Sequence, residues 1–576
     1  MMSPSRLAGW IDQATGQAPL DLLITNARLL NTATGAIQEA AIAIGGERIV
    51  GLDLGDPGGA RFAAARTLDA AGRYAVPGFI DTHLHIESSM VTPDQFERAV
   101  LPRGTTTAIC DPHEIANVAG AAGISYFLAA ARTLRMTLKV NLSSCVPATA
   151  LETAGARLDV DDLLALKDDP AVLGLAEMMN FPGVLAKEPA VLAKLAAFAG
   201  DHIDGHAPLL RGPALDAYLA AGILTDHECT SFAEAWEKLE KGMAILMREG
   251  SVAKNVKALA PLIGPDTWQR LAFCTDDRNP LEIAHEGHID YALRLAIDAG
   301  APLIPAYRAA TLGAAMIMKL EDRGLIGPGK RADILLIRRL EDVDVEAVVC
   351  GGSLVEPDFF ADRDKVAPVG LHSIRRARVE PASFEVAGAG RPTPIIVVHE
   401  AQLLTDRLEA LLPEAAGCRQ SDPKAGIMKL AVLERHGRNG NIGLGFVQGF
   451  GTLKGAIATS IGHDSHNITV ISGNEQDMAL AVNRLIEIEG GSVVVEQANV
   501  LAELRLPIAG LMSDRPLEAV SQDLAALRAA ALRIGCSLAE PVLQLAFLPL
   551  PVIPHLKLTD MGLVATEGDG LKLIEL

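Results

Sequence analysis

The chain lacks the features that mark several common functions. It has no surplus of basic residues: 51 Lys and Arg stand against 71 Asp and Glu, for a formal net charge of -20. Broad binding to a nucleic-acid backbone needs a cationic face and is excluded, whereas a nucleobase without phosphate stays open as a ligand. Cysteine is sparse and scattered, at Cys110, Cys145, Cys229, Cys274, Cys350, Cys418 and Cys536. The odd count and the absence of any CxxC exclude a secreted disulfide framework. No apolar run reaches the ~18 residues of a membrane span. The opening "MMSPSRLAGWIDQATGQ" has no apolar stretch of the signal-peptide kind. A reducing cytoplasm is the expected setting. No GxxxxGK[ST] phosphate loop occurs, since the Gly-rich "GRNGNIGLGFVQGFG" lacks the lysine and serine, and no GxSxG nucleophile elbow is found. Aromatics are only 4%, so Ala, Leu, Ile and Val supply the core.

What remains is a patterned, apolar-rich chain of 576 residues, a length that suits about three or four domains. Residues 20–75 read as short strands punctuated by Gly and Asp, as in "LDLLITNARLLN" and "AAIAIGGERIVGL". From Val76 short apolar runs alternate with Ala/Leu-rich helical stretches, for example "TTTAICDPH" before "GAAGISYFLAAARTL". Such repeated strand-then-helix units predict a parallel sheet. Near residue 330 the first style returns in "GPGKRADILLIRRLEDVDVEAVVCGGSLV". The expected fold is therefore α/β. A (β/α)8 TIM-like barrel over 76–330 is inserted in a small β-sandwich domain built from 1–75 and 331–365. A C-terminal α/β domain over 366–576 follows.

The informative side chains sit where barrel strands should end, the face on which such barrels build active sites. His83 and His85 end the first strand with period 2, so both rings point the same way. His113 and Glu114 follow the second strand, Glu177 ends "VLGLAEMMN", and His206 ends "HIDGHAP". His227 with Glu228 ends "ILTDHEC", and Asp276 ends "LAFCTDDR". A lone strand-end histidine is usually structural; six imidazoles and carboxylates in barrel order favour zinc, iron or manganese, with a shared carboxylate able to bridge two ions. His202 begins its strand and reads as structural, and His285 and His288 as helix-entry residues. "His85-Ile86-Glu87" imitates half of the zinc nucleobase deaminase motif, but the required PCxxC is missing.

"VPGFIDTHLHIESS" on a split β-domain resembles the metal-dependent amidohydrolase superfamily. The wider set "GTTTAICDPHEIANV", "LAEMMNFPGV", "DGHAP", "TDHE", "REGS", "CTDDR" and "GAIATSIGHDSHNITVISGNEQDMALAVNRL" resembles its bacterial adenine deaminases. That resemblance implies a binuclear divalent metal site, manganese or iron, with zinc an open choice. His83 and His85 would hold the first ion, His206 and His227 the second, Glu177 would bridge them, and Asp276 would touch the first ion and move protons. It implies adenine as a small-molecule substrate, hydrolysed to hypoxanthine and ammonia. The C6 attack needs a hydroxide, which a metal ion makes available by lowering the pKa of water from about 15.7 to about 7. Glu228, His113 and Glu114 are candidates to protonate the ring, and Glu228 serves equally as an orienting partner of a histidine. Glu114, Arg248, Asp464 and His466 are the candidate substrate contacts. "GHDSHN" reads either as a self-capping turn or as a loop closing the purine pocket, and "LMREGS" as a base-binding loop or a helix end. An amidohydrolase acting on a cyclic amide or N-acyl substrate is the alternative; a scaffold without chemistry would be expected to have lost ligands. No nucleic acid or membrane partner is expected, and the mean hydropathy of +0.25 suits a homo-oligomer.

Overall fold

The computed structural model describes residues 3–361, 363–388, 390–400, 402–567 and 570–576. Strands from both flanks of the chain meet in one eight-stranded sheet. Its order runs Ser353–Leu354, Val345–Cys350, Ile334–Ile337, Tyr74–Pro77, Leu20–Leu30, Ile37–Gly45, Arg48–Leu54, with Ala64–Asp69 lying parallel to Leu20–Leu30. The chain leaves through Tyr74–Pro77 and returns as its antiparallel neighbour, Ile334–Ile337. Ile24, Leu29, Ile42, Ala75, Ile334 and Leu336 form one cluster on this sheet, so apolar burial ties residues some 300 positions apart. The tight turn between Ile37–Gly45 and Arg48–Leu54 uses Gly46 at φ +57°, a conformation that glycine adopts without a Cβ penalty.

Between these flanks run eight parallel strands. Phe79–Leu84, Thr105–Cys110, Thr137–Leu142, Val172–Met178 and His202–Gly205 hydrogen-bond in sequence order as one curled arc. Thr225–Asp226, Ala244–Arg248 and Leu271–Cys274 form a second arc. Nearly every residue of these strands is buried, which is why they read as continuous apolar runs instead of alternating ones. The arcs meet where Asp276 N–H donates to His83 O at 3.0 Å and His85 N–H to Asp276 O at 3.2 Å. On the other side Gly205 N–H reaches Thr225 Oγ1 at 3.2 Å. A Cβ on Gly205 would fall 2.1 Å from Thr225 O, so only glycine permits this approach.

The last segment carries an eight-stranded mixed sheet in the order Thr405–Ala410, Thr393–Val398, Ile442–Gln448, Ile427–Leu433, Ile468–Ser472, Ala456–Thr459, Gly491–Glu496, Asn499–Arg505. Helix Glu475–Ile488 packs Met478, Val482 and Leu485 on one face of it. Asn474 caps that helix, accepting from Asp477 N–H at 2.8 Å. The opposite face joins the parallel strands: Leu430, Ile457, Val494 and Met512 share one core with Leu84, Ile86 and Met90. Backbone bonds reinforce the seam, with Ser513 N–H donating to Met90 O at 2.9 Å and Thr92 N–H to Ser513 O at 3.1 Å. Among the described residues no helix is long and apolar enough to cross a membrane.

A second seam centres on Asp560, which is 2% exposed. Its carboxylate accepts from Thr153 N–H at 2.9 Å, Thr153 Oγ1–H at 2.6 Å, Asn441 Nδ2–H at 3.3 Å and Asn467 Nδ2–H at 3.4 Å. Replacing Asp560 by Ala takes the shared acceptor from these buried and half-buried donors, and a destabilisation of about 2 kcal/mol is expected. A fall in the thermal unfolding midpoint, followed by circular dichroism, checks it.

Candidate metal centre and substrate pocket

The site is built at the C-terminal ends of the parallel strands. His83 and His85 leave strand Phe79–Leu84 on the same side. His83 Nδ1 lies 2.8 Å from Asp204 Oδ2, and His85 Nδ1 lies 2.9 Å from Asp111 O. A proton held on each Nδ1 leaves each Nε2 lone pair directed inward, as ligation requires. Asp204 is suited to that task. Burial pushes its carboxyl up, but the His83 charge and hydrogen bond hold it down at about 2.

Glu177, at the end of strand Val172–Met178, divides its oxygens between two pairs of imidazoles. Oε1 faces His85 Nε2 at 3.3 Å and His83 Nε2 at 3.7 Å; Oε2 faces His206 Nδ1 at 2.8 Å and His227 Nε2 at 3.3 Å. Asp276 Oδ1 lies 3.1 Å from His85 Nε2 and 3.7 Å from His83 Nε2. Asp276 occupies the left-handed region at φ +54°, a conformation uncommon outside glycine and frequent at functional sites. The donor set fits a pair of divalent ions. His83 Nε2 is buried without any hydrogen bond, several His and carboxylate groups converge within ligand spacing, and one carboxylate oxygen serves each histidine pair.

The second ring of polar groups was not visible from local spacing. Lys238 is fully buried and donates to Asp226 Oδ2 at 2.9 Å, Glu234 Oε1 at 2.8 Å and Ala207 O at 2.7 Å. Asp226 Oδ1 in turn accepts from Ala207 N–H at 2.8 Å. Asp226 precedes His227 and Ala207 follows His206, so one lysine fastens both histidine segments. Its only sequence signal is a charge on the inner face of helix Phe232–Glu240.

Arg248 lies across the pocket as a fork. Nη1 donates to Asp276 Oδ2 at 2.6 Å and also to Glu228 Oε1, while Nη2 donates to Glu228 Oε2 at 3.0 Å. Burial raises the Glu228 carboxyl, but Arg248 more than offsets this and holds it below the usual range. Strand Ala244–Arg248 runs directly into this residue, so "LMREGS" is a strand end and not a helix end.

His113 and Glu114 open helix His113–Ala119 beside the histidines. His113 Nδ1 lies 2.9 Å from Asp111 Oδ2, and its Nε2 lies 3.1 Å from Glu114 Oε1 and 3.7 Å from Asp464 Oδ1. Burial pulls the His113 imidazole down, yet Asp111 and Glu114 hold it well above its ordinary value. Asp464 and His466 reach this cluster from the C-terminal sheet, and His466 Nε2 pairs with Glu114 Oε2. The "GHDSHN" turn therefore lies against His113 and Glu114, beside the C-terminal ends of the parallel strands. His202 stays at the start of its strand, His285 is exposed, and His288 is buried against Thr105 Oγ1 at 3.0 Å. Residues not singled out from sequence, Asp111, Asp204, Asp277, His463 and Phe547, also lie at or beside this site.

A carboxylate shared by strand-tip histidines defines the class: the family model "Amidohydrolase family" matches residues 74–355. A second model, "Adenine deaminase C-terminal domain", matches residues 402–569. The chain is 54% identical to an adenine deaminase of Methylobacterium nodulans over 99% of this chain and 100% of that one. It is 55% identical to an adenine deaminase of Gluconobacter oxydans, over 96% of this chain and 97% of that one. The chain belongs to the adenine deaminase family within the amidohydrolases.

Replacing Lys238 by Met leaves the Asp226 carboxylate buried without its cation, a loss of about 3–5 kcal/mol for a broken buried pair. Divalent metal is expected to leave this variant faster than wild type, with Lys238→Arg intermediate. Metal content after timed dialysis against a chelator measures it.

Proposed function

We infer that the chain is an adenine deaminase, hydrolysing adenine to hypoxanthine and ammonia. The observation that carries this is the match to adenine deaminases along nearly the whole chain, including the C-terminal domain. Part of the same reading is the layout. The two arcs form a (β/α)8 barrel over 76–330, set into a β-domain of 1–75 and 331–365, with 366–576 as the C-terminal domain. The single sheet drawn from both flanks supports it.

His83, His85 and Asp276 would hold one divalent ion, manganese or iron, His206 and His227 a second, and Glu177 would bridge them. When bound, such a pair lowers the pKa of a coordinated water and supplies hydroxide at neutral pH. Asp276 is the proton carrier of the reading: it accepts a proton from the attacking water and returns it to the departing amine. Arg248 Nη1, 2.6 Å away, orients that carboxylate. The ring nitrogen beside C6 needs a donor as attack breaks aromaticity. Glu228 suits this poorly, because Arg248 holds it ionised; it serves with Arg248 as an orienting pair. His113, kept protonated by Asp111 and Glu114, is the better donor. Glu114, Asp464, His466 and Arg248 shape the pocket, whose setting is the cytoplasm.

Metal-loaded protein is expected to release ammonia from adenine. Asp276→Ala and His85→Ala are each expected to lower turnover at least about a hundredfold, with far-UV circular dichroism unchanged. Wild-type rates in the Asp276→Ala protein would overturn the proton-carrier role.

A further inference from the structure

His463 has no task in the reaction as described. It comes from the C-terminal sheet, yet its ring lies inside the site. Its Nδ1 is 2.6 Å from Glu114 Oε1, and its face stacks on Phe547 with centroids 4.2 Å apart and planes 2° from parallel. The residue is 3% exposed, and its Nε2 makes no hydrogen bond. The group facing that nitrogen is Asp277 Oδ1 at 4.0 Å, too far for a direct bond. Ser88 Oγ–H donates to the same Asp277 oxygen. A buried imidazole nitrogen left unpaired costs free energy, so this geometry asks for a missing partner.

Asp277 and Phe547 line one small cavity together with Arg248, Val252, Asp276 and Leu403. Asp276 bounds it on the catalytic side; Leu403 and Phe547 bound it from the C-terminal segment. Its volume is ≈ 10 Å³, room for about one water, so admitting a purine requires the two sides to part. Burial pulls the His463 imidazole down, but Glu114 and Asp277 bring it up to about 9. Both ring nitrogens then carry protons at neutral pH, and Nε2 is a donor.

We propose that the C-terminal domain supplies the far wall of the purine subsite, with His463 Nε2–H donating to a ring nitrogen of bound adenine and Phe547 packing against the base. The proposal rests on adenine being the substrate. A planar heteroaromatic base is the chemical class that fits: it offers an apolar face to Phe547 and ring-nitrogen acceptors to an otherwise idle donor. Among the described residues, Asp464 at 3.9 Å from Nδ1 and the His466 ring at 5.9 Å also face His463, and neither hydrogen-bonds Nε2.

The test uses metal-loaded full-length protein with His463→Leu, His463→Gln and Phe547→Ala. For His463→Leu, KM for adenine is expected to rise about tenfold or more, the scale of a lost charged hydrogen bond, with kcat within about threefold. Equilibrium binding of the product hypoxanthine should weaken in step, and metal content should stay at the wild-type level. His463→Gln restores a side-chain N–H and should recover part of the loss. Unchanged KM in both His463→Leu and Phe547→Ala overturns the proposal, as does a fall confined to kcat or to metal content. No ammonia from adenine with wild type overturns the activity itself, an outcome read separately from the variants.

Discussion

One carboxylate organises the molecule. Glu177 is buried, and burying an ionised carboxylate costs several kcal/mol unless it is paired and hydrogen-bonded. It is surrounded by five imidazoles: His83, His85 and His113 face Oε1, and His206 and His227 face Oε2. Burial raises its carboxyl, and hydrogen bonds from His206, His227 and His85 reverse the shift to well below the ordinary value. Those imidazoles leave strand ends that span more than a hundred residues of sequence, from Leu84 to Asp226. Only a curled parallel sheet delivers them to one point, so the electrostatics of the centre and the strand topology are the same requirement.

Orientation is secured from behind. Asp204 holds His83, accepts from Thr225 Oγ1 at 2.5 Å, and so links the first strand to the fifth and sixth. Asp81 accepts from Thr275 Oγ1 at 2.6 Å and lies 3.3 Å from His288 Nε2, below the His83 and Asp276 segments. Burial raises Asp81 to about 7, even against the hydrogen bonds from Thr275. Lys238 does the equivalent work for His206 and His227. Each link is buried, so each would be costly if half-made. Such networks favour one register of the strands over its neighbours, because slipping by one residue would leave several charges unpaired.

Local periodicity exposes some of this and hides the rest. The period-2 pair His83 and His85, and the strand ends at Glu177, His206, His227 and Asp276, were legible because a strand projects its side chains by a fixed rule. The two-flank β-sheet was legible because its short-strand style stops near Val76 and resumes near residue 330. Asp204, Lys238 and His463 were not. An aspartate in "DGHAP" or a lysine on helix Phe232–Glu240 acquires its role from partners 12 to 121 residues away, and no local pattern encodes that. Glu228 was legible as the neighbour of His227, but its protonation state depends on Arg248, 20 positions on. "IESSM", a short 3-10 turn after strand Phe79–Leu84, is a junction: Glu87 accepts from Ile115 N–H at 3.1 Å, Ser88 bonds Asp277, and Met90 joins Ser513.

The C-terminal domain follows from the same physics. The strand ends that gather these histidines and carboxylates would otherwise open to water, where charge interactions weaken roughly with the dielectric constant. His463 and His466 clasp Glu114 from above, and Phe547 and Leu403 close the side of the cavity opposite Asp276. Every one of these residues is buried or partly buried where the C-terminal segment meets the parallel strands. Asp276 is thereby kept 6% exposed, in surroundings where fixed dipoles act more strongly than they would in water. The parallel strands alone would keep their histidine cluster and lose this enclosure, so the C-terminal segment forms part of the walls of the site.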